Sequence, residues 1–352
     1  MKTYAYGFPR LGKNREYKKS IESFRKRKIS KQELTSKIFQ LEREIIDKYE
    51  SYVDKFPVGE MTFYDNMLDT ALMLGLYTHS TIDREKYYDL CWGKKPLELS
   101  KWFNTNYHYL IPEFPKDFSP SRFSVVWNKP KEAFERYKIA SKQKSRSGGK
   151  GIPYLIGPFT FLKLSKGLKD RNFGDYLLKL GTVYKNIIKD FQEVHIDEPA
   201  LVMENSSSEM SLFKKVYAEM GQVSKINLFT YYDSVDYLDV LYSLPLRAIG
   251  LDFVHCKDNL ANVKKYGFPE DKVLIAGIID GRSVMSANIE YCLALLKELS
   301  SYAKKIEISN AGPLYHSPIS VKGEKFPPEL SGKLAFAVEK LEELKNIGKL
   351  RI

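Results

Sequence analysis

The sequence predicts an α/β protein built as a single (β/α)8 barrel of the TIM type, with an N-terminal helical elaboration and an irregular insertion at about residues 78–150. From residue 152 onward, short apolar runs alternate with amphipathic runs of helical spacing, and two earlier apolar runs raise the number of βα repeats to eight. Each βα crossover makes neighbouring strands parallel, and closing eight strands into a ring removes both sheet edges. No linker or low-complexity segment divides the chain. We therefore expect residues 1–352 to form one barrel domain.

The individual elements follow from local patterns. The expected strands, read from runs rich in aliphatic and aromatic residues, are residues 4–8, 58–64, 153–156, 194–197, 226–231, 249–254, 273–278 and 305–309. Ser30-Lys-Gln-Glu33 forms a capping box, and apolar residues follow it at helical spacing up to Tyr52. Helices are also predicted at residues 67–76, 131–142 and 334–347. The glycine pair in residues 145–150 lacks the G-K-[ST] ending of a phosphate loop, which indicates a flexible connection.

Composition and charge exclude several classes of protein. Hydrophobic residues make up 43% of the chain and charged residues 28%, as is typical of a globular protein. The net charge of +12 is spread along the chain rather than gathered in one arm, so an acidic ligand or partner surface explains it without nucleic acid. Cys91, Cys256 and Cys292 are widely spaced, which indicates a reducing compartment. No apolar run approaches the roughly 18–20 residues of a membrane span, and we expect no signal sequence. We expect a cytoplasmic protein without membrane or nucleic-acid partners.

One segment, residues 6–19, has the features of an anion site. A short apolar run leads through Pro9-Arg10 and a glycine turn to Arg15, Lys18 and Lys19 at the beginning of a helix. A helix start adds unpaired backbone N–H groups and the positive end of the helix dipole to these side-chain charges. Arg binds a carboxylate in bidentate fashion, and Lys acts as a mobile point charge. The segment therefore predicts a site for a carboxylate ligand.

A second segment, residues 101–114, combines Lys101 with aromatic side chains and with the polar groups of Asn104, Thr105 and Asn106. This combination suits a flat polar ligand better than a packed core.

Polar residues follow most of the predicted strands, and a barrel places the C-terminal ends of its strands around one mouth. The polar candidates for this mouth are Arg10, Asp197, Glu198, His255 and Arg282. Adjacent side chains on a strand point to opposite sides, so only one of Asp197 and Glu198 is expected to face the mouth, while the other braces a loop or a neighbouring strand. A purely structural role, such as binding loop backbone or holding Arg282, is the alternative for these carboxylates, and it is equally open for His255 and His316.

Six motifs in sequence order resemble the N-terminal half of cobalamin-independent methionine synthase. They are Gly7-Phe-Pro-Arg10 with Arg15-Glu-Tyr-Lys18, residues 101–109, His195-Ile-Asp-Glu-Pro-Ala-Leu201, Asp252-Phe-Val-His255, Gly277-Ile-Ile-Asp-Gly-Arg282 and His316-Ser-Pro318. The resemblance covers nearly the whole chain. It implies methyl-tetrahydrofolate or a related methyl-pterin as co-substrate, with the acidic tail bound by Arg15, Glu16, Tyr17, Lys18 and Lys101. The full-length family enzyme consists of two fused barrels, and this chain is long enough for the first.

The resemblance also bears on zinc, which makes a thiol reactive by lowering its pKa. In the family's catalytic barrel, zinc is held by a His-x-Cys pair after the fifth strand, a Glu, and a Cys after the eighth strand. Residues 228–233 and 309–313 stand at the two strand ends here and contain neither His nor Cys. His255 and Cys256 are adjacent and cannot both reach one ion without distortion. We expect neither a metal site nor catalytic residues in this chain, and zinc on its partner.

The resulting hypothesis is the non-zinc N-terminal subunit of a split cobalamin-independent methionine synthase, inactive alone. It would bind the acidic tail of the methyl donor, while a separately encoded C-terminal catalytic barrel methylates homocysteine. Two alternatives remain. One is a pterin-binding protein without catalysis. The other is a self-sufficient barrel enzyme, such as a decarboxylase of a tetrapyrrole carboxylate, in which Arg10, Arg15 and Arg282 clamp the acidic groups of the substrate.

Overall fold

A computed structural model of the protein describes residues 1–77, 84–144, 150–168 and 172–350. Eight parallel strands form one sheet in the order β1, β10, β9, β8, β7, β6, β5, β2. Their bounds are β1 Lys2–Thr3, β2 Lys55–Val58, β5 Lys150–Ile156, β6 Glu193–Asp197, β7 Lys225–Phe229, β8 Ala248–Asp252, β9 Val273–Ile279 and β10 Ile306–Asn310. A parallel bridge between Tyr4 and Lys55 joins the two ends of this order, so the sheet is a nearly closed barrel. The predicted TIM-type fold is confirmed.

The N-terminal end of the barrel interior is filled by a charged cluster. Lys55 Nζ lies 3.1 Å from Glu193 and 3.4 Å from Glu307, and Arg247 contacts the same two carboxylates. Lys55 and both glutamates are buried. Because each buried charge has partners of opposite sign, this end of the barrel is filled without an uncompensated ion. The opposite end, where the strands have their C-terminal ends, is the place for a ligand site, as in other barrels of this type.

The first two strands lie earlier in the chain than predicted, at Lys2–Thr3 instead of residues 4–8 and at Lys55–Val58 instead of residues 58–64, and both differences have a physical cause. Beyond Tyr4, the chain is held by a side chain, because the Asn310 amide accepts from Tyr6 N at 3.2 Å and donates to Tyr6 O at 3.1 Å. After Val58 the chain turns away at Gly59, whose φ is +99°. The apolar residues at 61 and 63, expected in the barrel, are instead buried in a second apolar cluster outside it.

The helices surround the barrel. Their bounds are α1 Glu16–Arg25, α2 Lys31–Tyr52, α3 Asn66–Met73, α4 Arg84–Trp92, α5 Lys129–Lys144, α6 Pro158–Lys163, α7 Phe173–Ile188, α8 Ser207–Met220, α9 Leu238–Ser243, α10 Asp258–Tyr266, α11 Ile289–Leu299 and α12 Ala337–Lys349. The predicted capping box begins α2, where Ser30 accepts from Glu33 N at 3.2 Å and Glu33 accepts from Ser30 N at 2.7 Å. In the described ranges, no helix is both long enough and apolar enough to cross a membrane.

The second apolar cluster fixes the N-terminal helices. Tyr17 and Ile21 of α1 lie in it with Leu34 and Ile38 of α2, and Tyr88 of α4 completes this contact. Burial of such side chains stabilises the fold by about 1.5–3 kcal/mol each. The beginning of α1 is therefore held rigidly beside the barrel rather than projecting from it.

The insertion is more regular than predicted. It contains α4, an antiparallel hairpin of β3 Leu99–Lys101 and β4 His108–Leu110, and α5. Residues 78–83 and 145–149, which include most of the predicted flexible connection, lie outside the described residues. The hairpin matters for the site, because the turn between its strands, residues 102–107, extends over the barrel mouth. We call residues 102–107 the cover loop.

Candidate binding site at the barrel mouth and its rim

The two segments singled out by the sequence meet at Arg10. Its guanidinium donates to Thr62 Oγ1 at 2.6 Å and to the Tyr107 hydroxyl, and its carbon lies 5.5 Å from the centre of the Tyr107 ring. Tyr17 of α1 reaches the same Thr62 hydroxyl at 3.4 Å. This chain of contacts places the start of α1 on one side of Arg10 and the cover loop on the other.

The local backbone explains why residues 6–15 follow this path. Gly7 has φ +72°, and a Cβ there would collide with Pro313. Glu60 then anchors the turn, since it accepts from Gly7 N at 2.6 Å and from the Tyr49 hydroxyl at 3.0 Å. Burial raises the pKa of Glu60 to about 8. The predicted strand end therefore becomes a fixed turn that delivers Arg10 to the mouth.

Three exposed cations, Arg15, Lys18 and Lys101, lie on either side of this junction, and we call them the rim cations. Arg15 is the N-cap of α1 and has left-handed φ of 61°. Lys18 lies 3.8 Å from Glu22, with 62% of its side chain exposed. For Arg15 and Lys101, no carboxylate among the described residues lies within ion-pair distance. Exposed cations of this kind are available to an anionic ligand.

Glu16 and Tyr17 have different surroundings from the rim cations. The Glu16 carboxylate accepts from Asn14 N at 2.8 Å and from the Asn14 amide at 3.0 Å, so it closes the turn before α1. Tyr17 is buried, and its hydroxyl donates to Tyr64 O at 3.2 Å. Both side chains are thus engaged within the protein, so Glu16 and Tyr17 can contact a ligand through their backbone groups.

Inside the mouth, Asp197 is the centre of a buried network. Its carboxylate accepts from the Tyr154 hydroxyl at 3.0 Å and from the Tyr231 hydroxyl at 3.2 Å, and it lies 2.8 Å from His195 Nε2. The other ring nitrogen of His195 lies 3.0 Å from the Tyr4 hydroxyl. With 3% of its surface exposed, Asp197 is committed to protein partners.

Glu198 does not reach the mouth, which corrects its place among the mouth candidates. Its carboxylate accepts from Phe159 N and Thr160 N at the start of α6 and from the Tyr217 hydroxyl of α8. Burial raises its pKa to about 7, against the effect of these hydrogen bonds. Because neighbouring strand residues point to opposite sides, Asp197 faces the interior and Glu198 braces the helices outside the barrel.

On the far side of the mouth, His255 lies between two carboxylates. Nδ1 is 2.7 Å from Asp252 and Nε2 is 3.1 Å from Asp280. Burial disfavours the imidazolium, but these two hydrogen bonds outweigh it and raise the pKa of His255 to about 9. His255 is therefore a fixed cation at neutral pH, and both of its nitrogens are occupied.

Arg282 comes two residues after Asp280, the second carboxylate beside His255. Asp280 accepts from Arg282 N at 2.8 Å, and the guanidinium donates to Asn104 O of the cover loop at 3.2 Å. It also lies 5.4 Å from the centre of the Tyr232 ring. The Tyr232 hydroxyl lies 2.6 Å from His316 Nε2, and burial lowers the pKa of His316 to about 4. Arg282 thus links the strand ends to the insertion.

The sequence model of the family described as "Cobalamin-independent synthase, N-terminal domain" matches residues 2–304. This chain belongs to that family. Its curated relatives include the 5-methyltetrahydropteroyltriglutamate–homocysteine methyltransferase of Thermotoga petrophila, which is 39% identical over 98% of this chain and 47% of its own length. The same enzyme of Listeria welshimeri is 37% identical over 96% of this chain and 46% of its own length.

Solved structures agree at the level of the fold. A B12-independent methionine synthase from Shewanella sp. W3-18-1 gives a TM-score of 0.62 at 13% identity, covering 92% of this chain and 90% of that chain. A putative vitamin-B12 independent methionine synthase from Listeria monocytogenes gives a TM-score of 0.62 at 11% identity, covering 98% and 95%. At such low identity the likeness shows the barrel alone.

The comparison corrects the expected partner. This member of the synthase family spans about half the length of the curated relatives it matches, and those relatives carry the remaining half in the same chain. The prediction of a separately encoded C-terminal catalytic barrel was therefore wrong. It had been inferred from chain length and from missing zinc ligands, and neither observation bears on how a second half is encoded.

The residues at the two strand ends that correspond to the zinc ligands of the family's catalytic barrel do not fit that metal. The fifth barrel strand leads into Tyr231 and Tyr232, both hydrogen-bonded within the mouth, and Asn310 at the end of the eighth strand clamps Tyr6. Among the residues that the structure describes, no group of three or more His, Cys, Asp or Glu is arranged to hold a metal ion. Zinc outside this chain stays a prediction.

The clamp expected for a tetrapyrrole carboxylate is not assembled in this synthase domain. Arg10 and Arg282 each donate to protein oxygens at the mouth, whereas Arg15 is exposed at the start of α1. The sequence did not reveal that Tyr107 is the partner of Arg10. The place of Tyr107 in the aromatic-rich segment of residues 101–114 was the available signal, since tyrosines combine an apolar ring with a hydrogen-bonding end.

Proposed function

We propose that this chain is the part of a 5-methyltetrahydropteroyltriglutamate–homocysteine methyltransferase that holds the acidic tail of the methyl-folate donor. The observation that carries this proposal is the placement of Arg15, Lys18 and Lys101 on both sides of the Arg10–Tyr107 contact, all exposed. The name of the relatives, 5-methyltetrahydropteroyltriglutamate–homocysteine methyltransferase, supplies the ligand class, a pterin with three glutamates. Such a tail is a flexible chain of carboxylates, for which separated cations on a rigid support are suitable partners.

The division of roles within the site follows from burial. Arg15, Lys18 and Lys101 contact the tail carboxylates, whereas Glu16 and Tyr17 contribute backbone groups at the beginning of α1. The pterin ring, which is flat and polar, lies toward the aromatic side chains that surround the mouth. Methyl transfer to homocysteine belongs to the other half of the enzyme. The region matched here holds the donor and performs no sulfur chemistry.

The proposal is tested by calorimetric titration of the protein with methyl-tetrahydropteroyl ligands carrying three glutamates, one glutamate or none. Affinity is expected to rise with the number of glutamates. Arg15→Ala, Lys18→Ala and Lys101→Ala should each weaken binding of the triglutamate by about five- to tenfold, since each removes one charge-assisted contact. The ligand without glutamate should bind all variants equally.

Lys26→Ala is the matched control. Lys26 is exposed at the opposite end of α1, about 15 Å along the helix, and its removal changes the net charge by the same amount. If Lys26→Ala weakens binding as much as Lys18→Ala, the tail responds to overall charge and the proposed site is wrong. The protein is also incubated with the donor and homocysteine. Methionine formation by the purified chain would favour a self-sufficient enzyme, whereas binding without turnover is expected.

A further inference from the structure

The cover loop connects the proposed tail site to the opposite side of the barrel. It begins directly after Lys101, and its residues touch groups that follow four different strands. Tyr107 binds Arg10 after β1 and lies 4.6 Å, ring to ring, from Tyr315 after β10. Asn104 O accepts from Arg282 after β9. Since β1, β10 and β9 are consecutive in the sheet, these contacts follow one side of the mouth.

A further contact continues this line to β7. The Phe103 ring lies 5.7 Å from the ring of Tyr232. Both residues have left-handed backbone conformations, with φ of 54° at Phe103 and 82° at Tyr232. Such conformations are unfavourable for aromatic residues and persist when the surroundings hold them. The contact therefore belongs to a constrained arrangement of the loop.

Internal hydrogen bonds make the cover loop a rigid unit. Trp102 N donates to Tyr107 O at 2.7 Å, which closes the base of the loop. Thr105 Oγ1 donates to Trp102 O at 2.6 Å and accepts from Tyr107 N at 3.2 Å. Trp102 and Thr105 are buried. A displacement at one end of so short and closed a turn is transmitted to its base, where Lys101 lies.

Arg282 is the outer anchor of this unit, and it is itself held from behind. Asp280 accepts from Arg282 N and lies 3.1 Å from His255 Nε2, while Asp252 binds the other nitrogen of His255. Asp252 also accepts from Tyr232 N at 3.0 Å. Arg282 is thus held at its backbone N by Asp280, and its guanidinium contacts the Tyr232 ring and Asn104 O.

We propose that Arg282 is a positioning residue for tail recognition: by holding the cover loop at Asn104, it fixes the place of Lys101 on the rim. The inference rests on the proposed function and adds a residue on the other side of the mouth that determines preference for a long acidic tail. Lys101 is exposed and is the last residue of the three-residue strand β3, where it pairs with His108 of β4, so its position depends on this hairpin and on what holds the loop between the two strands.

The test compares Arg282→Ala, Arg282→Lys and the wild-type protein in two measurements. The first is the ratio of the dissociation constants for the monoglutamate and triglutamate forms of the donor. Arg282→Ala is expected to reduce this preference for the triglutamate by about fivefold. Arg282→Lys is expected to behave like Arg282→Ala, because an ammonium keeps the charge but cannot lie flat over Tyr232 while binding Asn104 O. A role confined to stability would leave the ratio unchanged.

The second measurement is hydrogen exchange of the amides of Trp102, Thr105 and Tyr107, which should become faster in both variants with no ligand present. Arg122→Ala is the matched control, since Arg122 pairs with Asp117 at 3.1 Å and its ring contact is with Phe118. It should change neither measurement.

Each outcome decides a different point. If Arg282→Lys retains the wild-type preference while Arg282→Ala loses it, Arg282 acts through its charge and the positioning role is wrong. Unchanged exchange in the cover loop would overturn the role as well. If the wild-type protein shows no preference for the triglutamate, the proposed function fails, and the exchange measurement still decides whether Arg282 holds the loop.

Discussion

The rim and the interior of the barrel mouth both contain charged groups but use them in opposite ways. On the rim, Arg15, Lys18 and Lys101 are exposed and form few contacts with the protein. In the interior, Asp197 and His255 are each enclosed by hydrogen-bond partners. Water stabilises a charge on the rim, whereas only specific partners can do so inside. The difference suggests that the rim is available for a ligand and that the interior maintains the structure that presents it.

The largest expected effect comes from the interior. Asp197→Ala leaves the hydroxyls of Tyr154 and Tyr231 and the ring of His195 without their acceptor in a buried space. The free energy of unfolding should fall by about 3–5 kcal/mol, as is usual when one partner of a buried charged network is removed. Urea unfolding followed by circular dichroism measures this loss.

Asp117→Ala serves as the control for that substitution, since 83% of the Asp117 side chain is exposed and its partner is the surface residue Arg122. Its effect should stay below about 0.5 kcal/mol. Equal effects of the two substitutions would remove the distinction between interior and surface.

A smaller effect is expected from His255 and depends on pH. Its pKa is about 9 in the folded protein and 6.5 in the unfolded chain, so folding binds the proton more tightly. The resulting stabilisation is complete below pH 6.5 and is lost as the pH rises through 9. Allowing for partial solvent screening, it amounts to about 2 kcal/mol. His255→Gln should flatten this part of the curve of unfolding free energy against pH.

Glu60 makes the comparison of wild type and variant necessary. The pKa of Glu60 is raised from 4.5 to about 8. Ionisation of Glu60 therefore also lowers the free energy of unfolding as the pH rises from about 4.5 to about 8. Only the difference between the two curves isolates His255. An unchanged curve in His255→Gln would mean that the histidine is not held as a cation between Asp252 and Asp280.

The smallest effect on stability is expected on the rim. Replacing Arg15 and Lys18 together by Ala should change the free energy of unfolding by less than about 0.5 kcal/mol, because exposed charges and their ion pairs contribute little. The same double variant should bind the triglutamate more weakly than either single variant. A large loss of stability would show that the rim cations are structural, and the contrast with the interior would then disappear.

Much of the fold was predictable because its signals are local. The eight parallel strands, the capping box at Ser30 and the terminal helix appear as apolar runs and periodic patterns along the chain. The strand boundaries at residues 4–8 and 58–64 were wrong, since the Asn310 side chain and the second apolar cluster decide where these strands end. Both causes lie far away in sequence, and periodicity cannot reveal them.

For the candidate site too, some features were predictable from the sequence and others were not. By itself, the sequence determined the barrel, the family and the cationic character of residues 10–18 and 101, because these depend on residue type and spacing. Only the tertiary structure decided that Asp197 turns inward and Glu198 outward in their particular contacts, that Arg10 joins the two segments through Tyr107, and that Arg282 reaches the cover loop. Hydrogen bonds between residues far apart in sequence, 178 positions in the Arg282–Asn104 contact and 304 positions in the Asn310–Tyr6 contact, depend on how the chain closes into a barrel. That closure is a property of the whole sheet and is not contained in any one segment.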